Sequence, residues 1–234
     1  MKKILLFLGI FILFSLPVYA DKLLKNGFIN KNLSYAKDQN INDPSNTIVI
    51  IYNHGQDKHD ARLNNCSWKN NLRNSVSLLD TKVNEKQIMV YNFCSNDTEG
   101  DDKNLWNKKK FKPPYKGKPK LEKRLDANLG LINKFVNMGV PNKQIILTGH
   151  SCGGWMTLML MSRHPDKVGG AISYMPACYG KLTKNFKVKK IGIEKALIKF
   201  KKKDGSGPAD MRQAQINEIK KSKNLPVLVF THPK

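Results

Sequence analysis

The chain is 234 residues long, with 40% hydrophobic residues and 41 Lys and Arg against 18 Asp and Glu, a formal charge of +23. That length suits one domain with a sizeable core, and the lack of any internal repeat or linker excludes a repeat array or a string of modules. The charge would ordinarily raise a nucleic acid or another polyanion as partner, but the lysines are spread through predicted helices and loops alike, among abundant Asn and Ile. A solvated lysine surface is therefore expected, with no nucleic-acid partner.

Residues 1–20 read as a secretory signal: Lys2 and Lys3, an apolar run over 4–16, then Val18-Tyr19-Ala20 with small residues at the two positions that signal peptidase inspects. Cleavage before Asp21 leaves residues 21–234 as a single domain in the periplasm or outside the cell. No Cys follows the cut, which argues against a lipid-anchored product, and no later run is long and apolar enough to span a bilayer. No membrane contact is expected once the signal is removed.

Residues 21–46 are polar and Asn-rich, with strand character around 28–35 that fits an edge hairpin or an ordered arm. Residues 47–52 are a continuous apolar run, as a central parallel strand covered on both faces requires. The run ends in Asn53-His54-Gly55-Gln56. A His-Gly step there leaves backbone N–H groups free at the carboxyl edge of the sheet, where ligands of open α/β sheets bind. Residues 68–79 read as a helix with Leu72, Val76 and Leu79 on one face, and residues 87–93 as the next strand.

The connection over 94–119 is long enough to hang over such a site. Its acidic half, 96–102, does not have the spacing of a twelve-residue Ca²⁺ loop, and a solvated loop is expected. Its basic half, 108–120, follows Trp106 and carries Phe111 and Tyr115. It is either a selector of anionic or aromatic substrates or a proline-broken surface loop. Asp57, His59 and Asp60 cluster in sequence without a further ligand at a recognised spacing, so neither a metal nor a cofactor is expected.

Residues 121–138 are predicted helical, with Leu125, Leu129, Ile132 and Phe135 at helical spacing and Gly139 and Pro141 closing the element. The stretch 145–154, Ile-Ile-Leu-Thr-Gly-His-Ser-Cys-Gly-Gly, is an apolar run entering G-x-S-x-G and then an apolar helix that ends at His164-Pro165. A turn this tight strains its middle residue, and small residues two before and two after remove the clashes. The strain lifts the Ser151 hydroxyl clear of the backbone, beside the unpaired N–H groups of a helix start.

Residues 168–174 read as a further strand. Residues 187–203 read as a surface helix with Ile193, Leu197 and Phe200 on one face, a membrane-surface helix being the sharper alternative. Residues 204–207 read as a turn, Pro208 as a helix start, and 225–231 as a last strand. Strands alternating with helices give an α/β fold with a doubly wound, mostly parallel sheet. On that sheet Cys66 and Cys94 would come near each other, and Cys152 and Cys178 would follow adjacent strands. Of the three possible pairings, 66 with 94 and 152 with 178 is the one expected, on geometry and not on spacing.

Residues 47–231 resemble the α/β-hydrolase superfamily in element order, and within it the dienelactone hydrolase-like and secreted serine esterase branches. The specific content lies in His54-Gly55-Gln56 and in residues 149–154. The resemblance implies acyl transfer: Ser151 attacks the carbonyl of a small-molecule ester while the backbone N–H groups of Cys152 and Gln56 hold the oxyanion. Dienelactone hydrolases use a cysteine as nucleophile. Serine at 151 favours a serine esterase.

In the superfamily an acid and then a histidine follow the serine. Only His164 and His232 do so here. His164 is thirteen residues along the helix from Ser151, about 20 Å away at ~1.5 Å per residue. His232 falls where the loop bearing the acid usually begins. His54 and His150 are expected to be structural. The catalytic acid and base are thus expected to be absent from this chain, as in a sequence truncated before its last strand and helix. A non-catalytic binding protein that keeps the cleft is the alternative.

Overall fold

The computed structural model describes residues 26–37, 39–55, 69–94, 120–178, 188–204 and 206–231. Residues 1–25, Gln56 to Trp68, residues 95–119 and His232 lie outside the described residues.

The N-terminal arm forms an antiparallel edge. Strand β1 (Gly27–Phe28) lies beside the later strand at residues 86–93, and Ile29 bridges Tyr35 to fold the arm back on itself. Strand β2 (Thr47–Asn53) is buried along almost its whole length, as its run of β-branched residues anticipates. Helix α1 (Lys69–Val76) follows, and then a hairpin that the sequence did not announce: β3 (Lys82–Val83) pairs with β4 (Lys86–Phe93) across Asn84 and Glu85. Both turn residues have positive φ, 48° and 62°, the geometry a two-residue hairpin needs.

Helix α2 (Lys120–Asn137) leads to β5 (Ile145–His150), which enters α3 (Cys152–Arg163) without a loop. Strand β6 (Gly170–Tyr174) follows. The single surface helix expected over 187–203 is two helices, α4 (Val188–Ile191) and α5 (Ile193–Asp204), broken at Gly192, whose φ of 78° no helix accommodates. Ser206 and Gly207, expected in a turn, already belong to α6 (Ser206–Lys221), which carries Pro208 in its first turn, where a missing N–H costs nothing. Strand β7 (Val227–Phe230) completes the described sheet.

The seven described strands form one sheet in the order β1-β4-β2-β5-β6-β7, with β3 against β4, and all pairs from β4 to β7 along that path are parallel. Successive residues of β2 face opposite layers. Val49 and Ile51 pack with Ile145, Leu147, the α2 residues Leu121, Leu125, Ile132 and Phe135, and the α3 methionines Met156 and Met159. Ile50 and Tyr52 pack with Leu72, Val76 and Leu79 around α1. The sheet is thus covered on both faces, the doubly wound α/β arrangement read from the sequence.

A polar clasp holds three helices together. Arg163 at the end of α3 bonds Glu122 of α2 at 2.6 Å and Glu218 of α6 at 2.7 Å, while Gln215 of α6 bridges Glu122 and the Trp155 indole. Among the described residues no helix is long and apolar enough to cross a membrane.

Candidate active site

The chain runs from β2 out to β4 on one side and returns through α2 to β5 on the other. The carboxyl ends of β2 and β5 therefore mark a topological switch point, the place where open α/β sheets bind ligands. The two strands end level, Asn53 opposite Gly149, so the next residues of each chain segment meet.

Ser151 is the single residue between β5 and α3. It has φ 54° and ψ −115°, a conformation a residue with a Cβ adopts only under constraint. The constraint is visible in the packing. A Cβ on Gly149 would lie 2.5 Å from the Gly153 carbonyl group, and a Cβ on Gly153 would lie 2.0 Å from the Asn53 carbonyl oxygen and 2.6 Å from that of His54. Only hydrogen at these positions lets β5, α3 and the end of β2 converge under the serine.

The segment after β6 grips the elbow from the other side. The Ser151 N–H donates to the Tyr174 carbonyl at 2.9 Å, the Ala177 N–H donates to the Ser151 carbonyl at 3.1 Å, and the Ser151 hydroxyl donates to the Ala177 carbonyl at 3.1 Å. A disulfide joins buried Cys152 to buried Cys178 and fastens this contact covalently. That is the pairing expected from the sheet. Cys94 is disulfide-bonded as well, and Cys66 lies outside the described residues.

Ser151 remains half-buried, with its hydroxyl at the rim. Cys152 is the first residue of α3, so its amide belongs to the helix turn that lacks intrahelical acceptors and carries the positive end of the macrodipole. Gly55 reaches the same place from β2: a Cβ there would be 3.3 Å from the Ser151 Cβ. Gln56, the other expected oxyanion donor, is the next residue and lies outside the described residues.

Beneath residues 53–55 lies a buried polar group that reading for apolar periodicity missed. Arg124, fully buried on α2, donates from Nη2 to the His54 carbonyl at 2.9 Å. Asn128, one turn further along, donates to the Asn53 side-chain oxygen, and Asn53 reaches Thr157, whose hydroxyl donates to the Gly153 carbonyl at 2.9 Å. The signal was present in the sequence. Leu121, Arg124, Leu125, Asn128, Ile132 and Phe135 recur at helical spacing, with two polar residues inside an apolar stripe.

The three described histidines, His54, His150 and His164, sit in different settings. His54 is buried, and its Nδ1–H donates to the Gly55 carbonyl at 2.7 Å, which fixes the ring beside its own backbone. His150 is a buried residue of β5, and burial holds its imidazole below the ordinary range. His164 caps the far end of α3, its imidazole also lowered, first by burial and then by Arg163 and Lys167. Asp57, His59 and Asp60 lie outside the described residues, and among the described residues no three metal-binding side chains gather.

Residues 72–185, just under half of the chain, match the family model described as lipid-droplet associated hydrolase. Comparison with curated proteins finds no match. Among solved structures the chain is similar to a phospholipase/carboxylesterase from Dyadobacter fermentans, with 18% identity, TM-score 0.38, and 80% of this chain on 79% of that one. It is similar to esterase B from Lactobacillus rhamnosis, studied with a tributyrin phosphonate, at 12% identity and TM-score 0.43, with 81% of this chain on 56% of that one. An esterase from Pyrobaculum calidifontis matches at 17% identity and TM-score 0.43, with 80% of this chain on 58% of that one. The chain thus spans less than two thirds of the length of both esterases.

Proposed function

We propose that this chain, which has the α/β-hydrolase fold, is an exported serine hydrolase that cleaves small or medium-sized esters through an acyl-enzyme. The observation that carries the reading is Ser151 itself. It is a non-glycine residue held at positive φ between a central parallel strand and a helix N-terminus, at the switch point of the sheet and against Gly55.

In this reading the Ser151 oxygen attacks the ester carbonyl. The tetrahedral oxyanion is held by the Cys152 amide and the Gln56 amide, the alcohol leaves, and water releases the acid from the serine. The Ser151 hydroxyl, which donates to Ala177 here, must exchange that acceptor for a base. The reading needs a base in that place; His54 Nδ1 is held by the Gly55 carbonyl and His164 lies at the far end of α3. Export is supported by the signal-like residues 1–20 and by a disulfide beside the nucleophile, since such bonds persist in oxidising compartments.

Turnover of a chromogenic short-chain ester by the full-length product is the direct test. The reading expects hydrolysis that Ser151→Ala abolishes. Hydrolysis that survives that substitution, or none with any ester, would leave the binding-protein alternative.

A further inference from the structure

We infer that Arg124 is the positioning residue of the backbone at His54 and Gly55, which leads into the proposed oxyanion donor Gln56; the inference rests on the ester-hydrolase reading and assigns a residue that reading does not use. Its position on α2 is one where packing asks for an apolar side chain, because Leu121, Leu125, Ile132 and Phe135 share that face and are all buried. A guanidinium removed from water is costly to keep unless its donors are used, so its place there calls for a job other than packing.

The job is written in the direction of its bond. Arg124 Nη2 holds the His54 carbonyl, and the His54 ring holds the Gly55 carbonyl. In a trans peptide the C=O and the following N–H point opposite ways. Anchoring the His54 carbonyl therefore sets the direction of the Gly55 amide across it, and with the Gly55 carbonyl held as well, the described backbone that leads into Gln56 is fixed where Gly55 lies against Ser151. Asn128, through Asn53, steadies the end of β2 just before it, and the close approach of Gly153 to Asn53 and His54 fixes the same backbone from α3. This backbone is thus clamped between an arginine below and the nucleophile helix beside it. Arg124 touches no reacting atom; it aims the groups that do.

The test compares Arg124→Met and Arg124→Lys with the wild type in the full-length product. Two readouts are taken: steady-state kinetics on a chromogenic short-chain ester, and amide hydrogen exchange at Gly55 and along β5. An ångström of misplacement at a catalytic centre costs up to about 100-fold in rate. Arg124→Met is therefore expected to lower kcat about 10–100-fold with KM changed less than about three-fold. Gly55 should exchange faster while β5 keeps its protection. Lysine retains the charge on a shorter fork-less head and should recover part of the rate, with Gly55 exchange in between.

A folded Arg124→Met protein with wild-type kcat and wild-type Gly55 exchange overturns the inference. So does a loss of protection spread evenly over β5, which would make Arg124 a general stabiliser. If the methionine variant does not fold, Arg124→Lys decides: slower turnover with faster Gly55 exchange supports the inference, and wild-type values of both refute it. If the wild type itself hydrolyses no ester, the hydrolase reading falls while Gly55 exchange still decides the role of Arg124.

Discussion

Gly153→Ala adds one methyl group at the point where three elements of the site converge. Alanine is the better helix former by about 0.5–1 kcal/mol, so propensity alone favours the substitution inside α3. The structure reverses the sign. The new Cβ would stand 2.0 Å from the Asn53 carbonyl oxygen, 2.5 Å from its carbon and 2.6 Å from the His54 oxygen, and real Cβ contacts essentially never fall under 3.0 Å. All three obstacles are backbone, so no side chain can swing away; α3 and the end of β2 must part by about an ångström. Overpacking of this kind costs typically 1–3 kcal/mol and exceeds the propensity gain. In a chain of this length, at about 2–4 °C per kcal/mol, a cost of that size lowers the melting temperature by about 2–12 °C. The same displacement separates Ser151 from residues 53–55, so ester turnover should fall up to about 100-fold even in protein that remains folded. Thermal unfolding and steady-state kinetics on one preparation read both effects. A Gly153→Ala protein that melts at or above the wild-type temperature and keeps its kcat would refute the packing described here.

The contrasting case is Gly130→Ala on the exposed side of α2, where an added Cβ meets nothing within 4 Å; it should stabilise by about 0.5–1 kcal/mol in urea titrations and leave turnover unchanged. Replacing Cys152 and Cys178 together by alanine opens a loop of sequence separation 26, for which the chain-entropy relation gives a loss of about 3.5 kcal/mol, measurable as a lowered urea midpoint. His150 is held below its ordinary pKa of 6.5 by burial, so the unfolded state binds the proton first. Its contribution is intact above 6.5 and is lost as pH falls below that value toward the folded pKa, and His150→Gln should flatten this part of the stability profile relative to the wild type.

The parts of the fold legible in the sequence were those in which one physical demand dominated. β2 and β5 are buried on both faces, so their apolar runs had no other use, and the tight G-x-S-x-G step between β5 and α3 left only one residue to occupy the turn. The β3–β4 hairpin escaped notice because Asn84 and Glu85 reach positive φ without a glycine to mark it. The break at Gly192 was masked by lysines that keep a helical look on either side of it. At the site, the place of Ser151 between β5 and α3 and of Cys152 at the start of α3 could be read because motif and chain direction suffice to set them. Arg124 and Asn128 could not, since a search for apolar periodicity passes over the polar residues that share the stripe. Nor could the grip of Ala177 on Ser151, which depends on where the backbone goes after β6.

The central claim is that Ser151 is a nucleophile presented at the rim of the sheet. Its most direct test is the mass of the peptide bearing residue 151 after the full-length product meets an organophosphonate ester. The account expects one phosphonyl adduct on Ser151, absent in denatured protein; an unmodified Ser151, or an adduct on another residue, would contradict it.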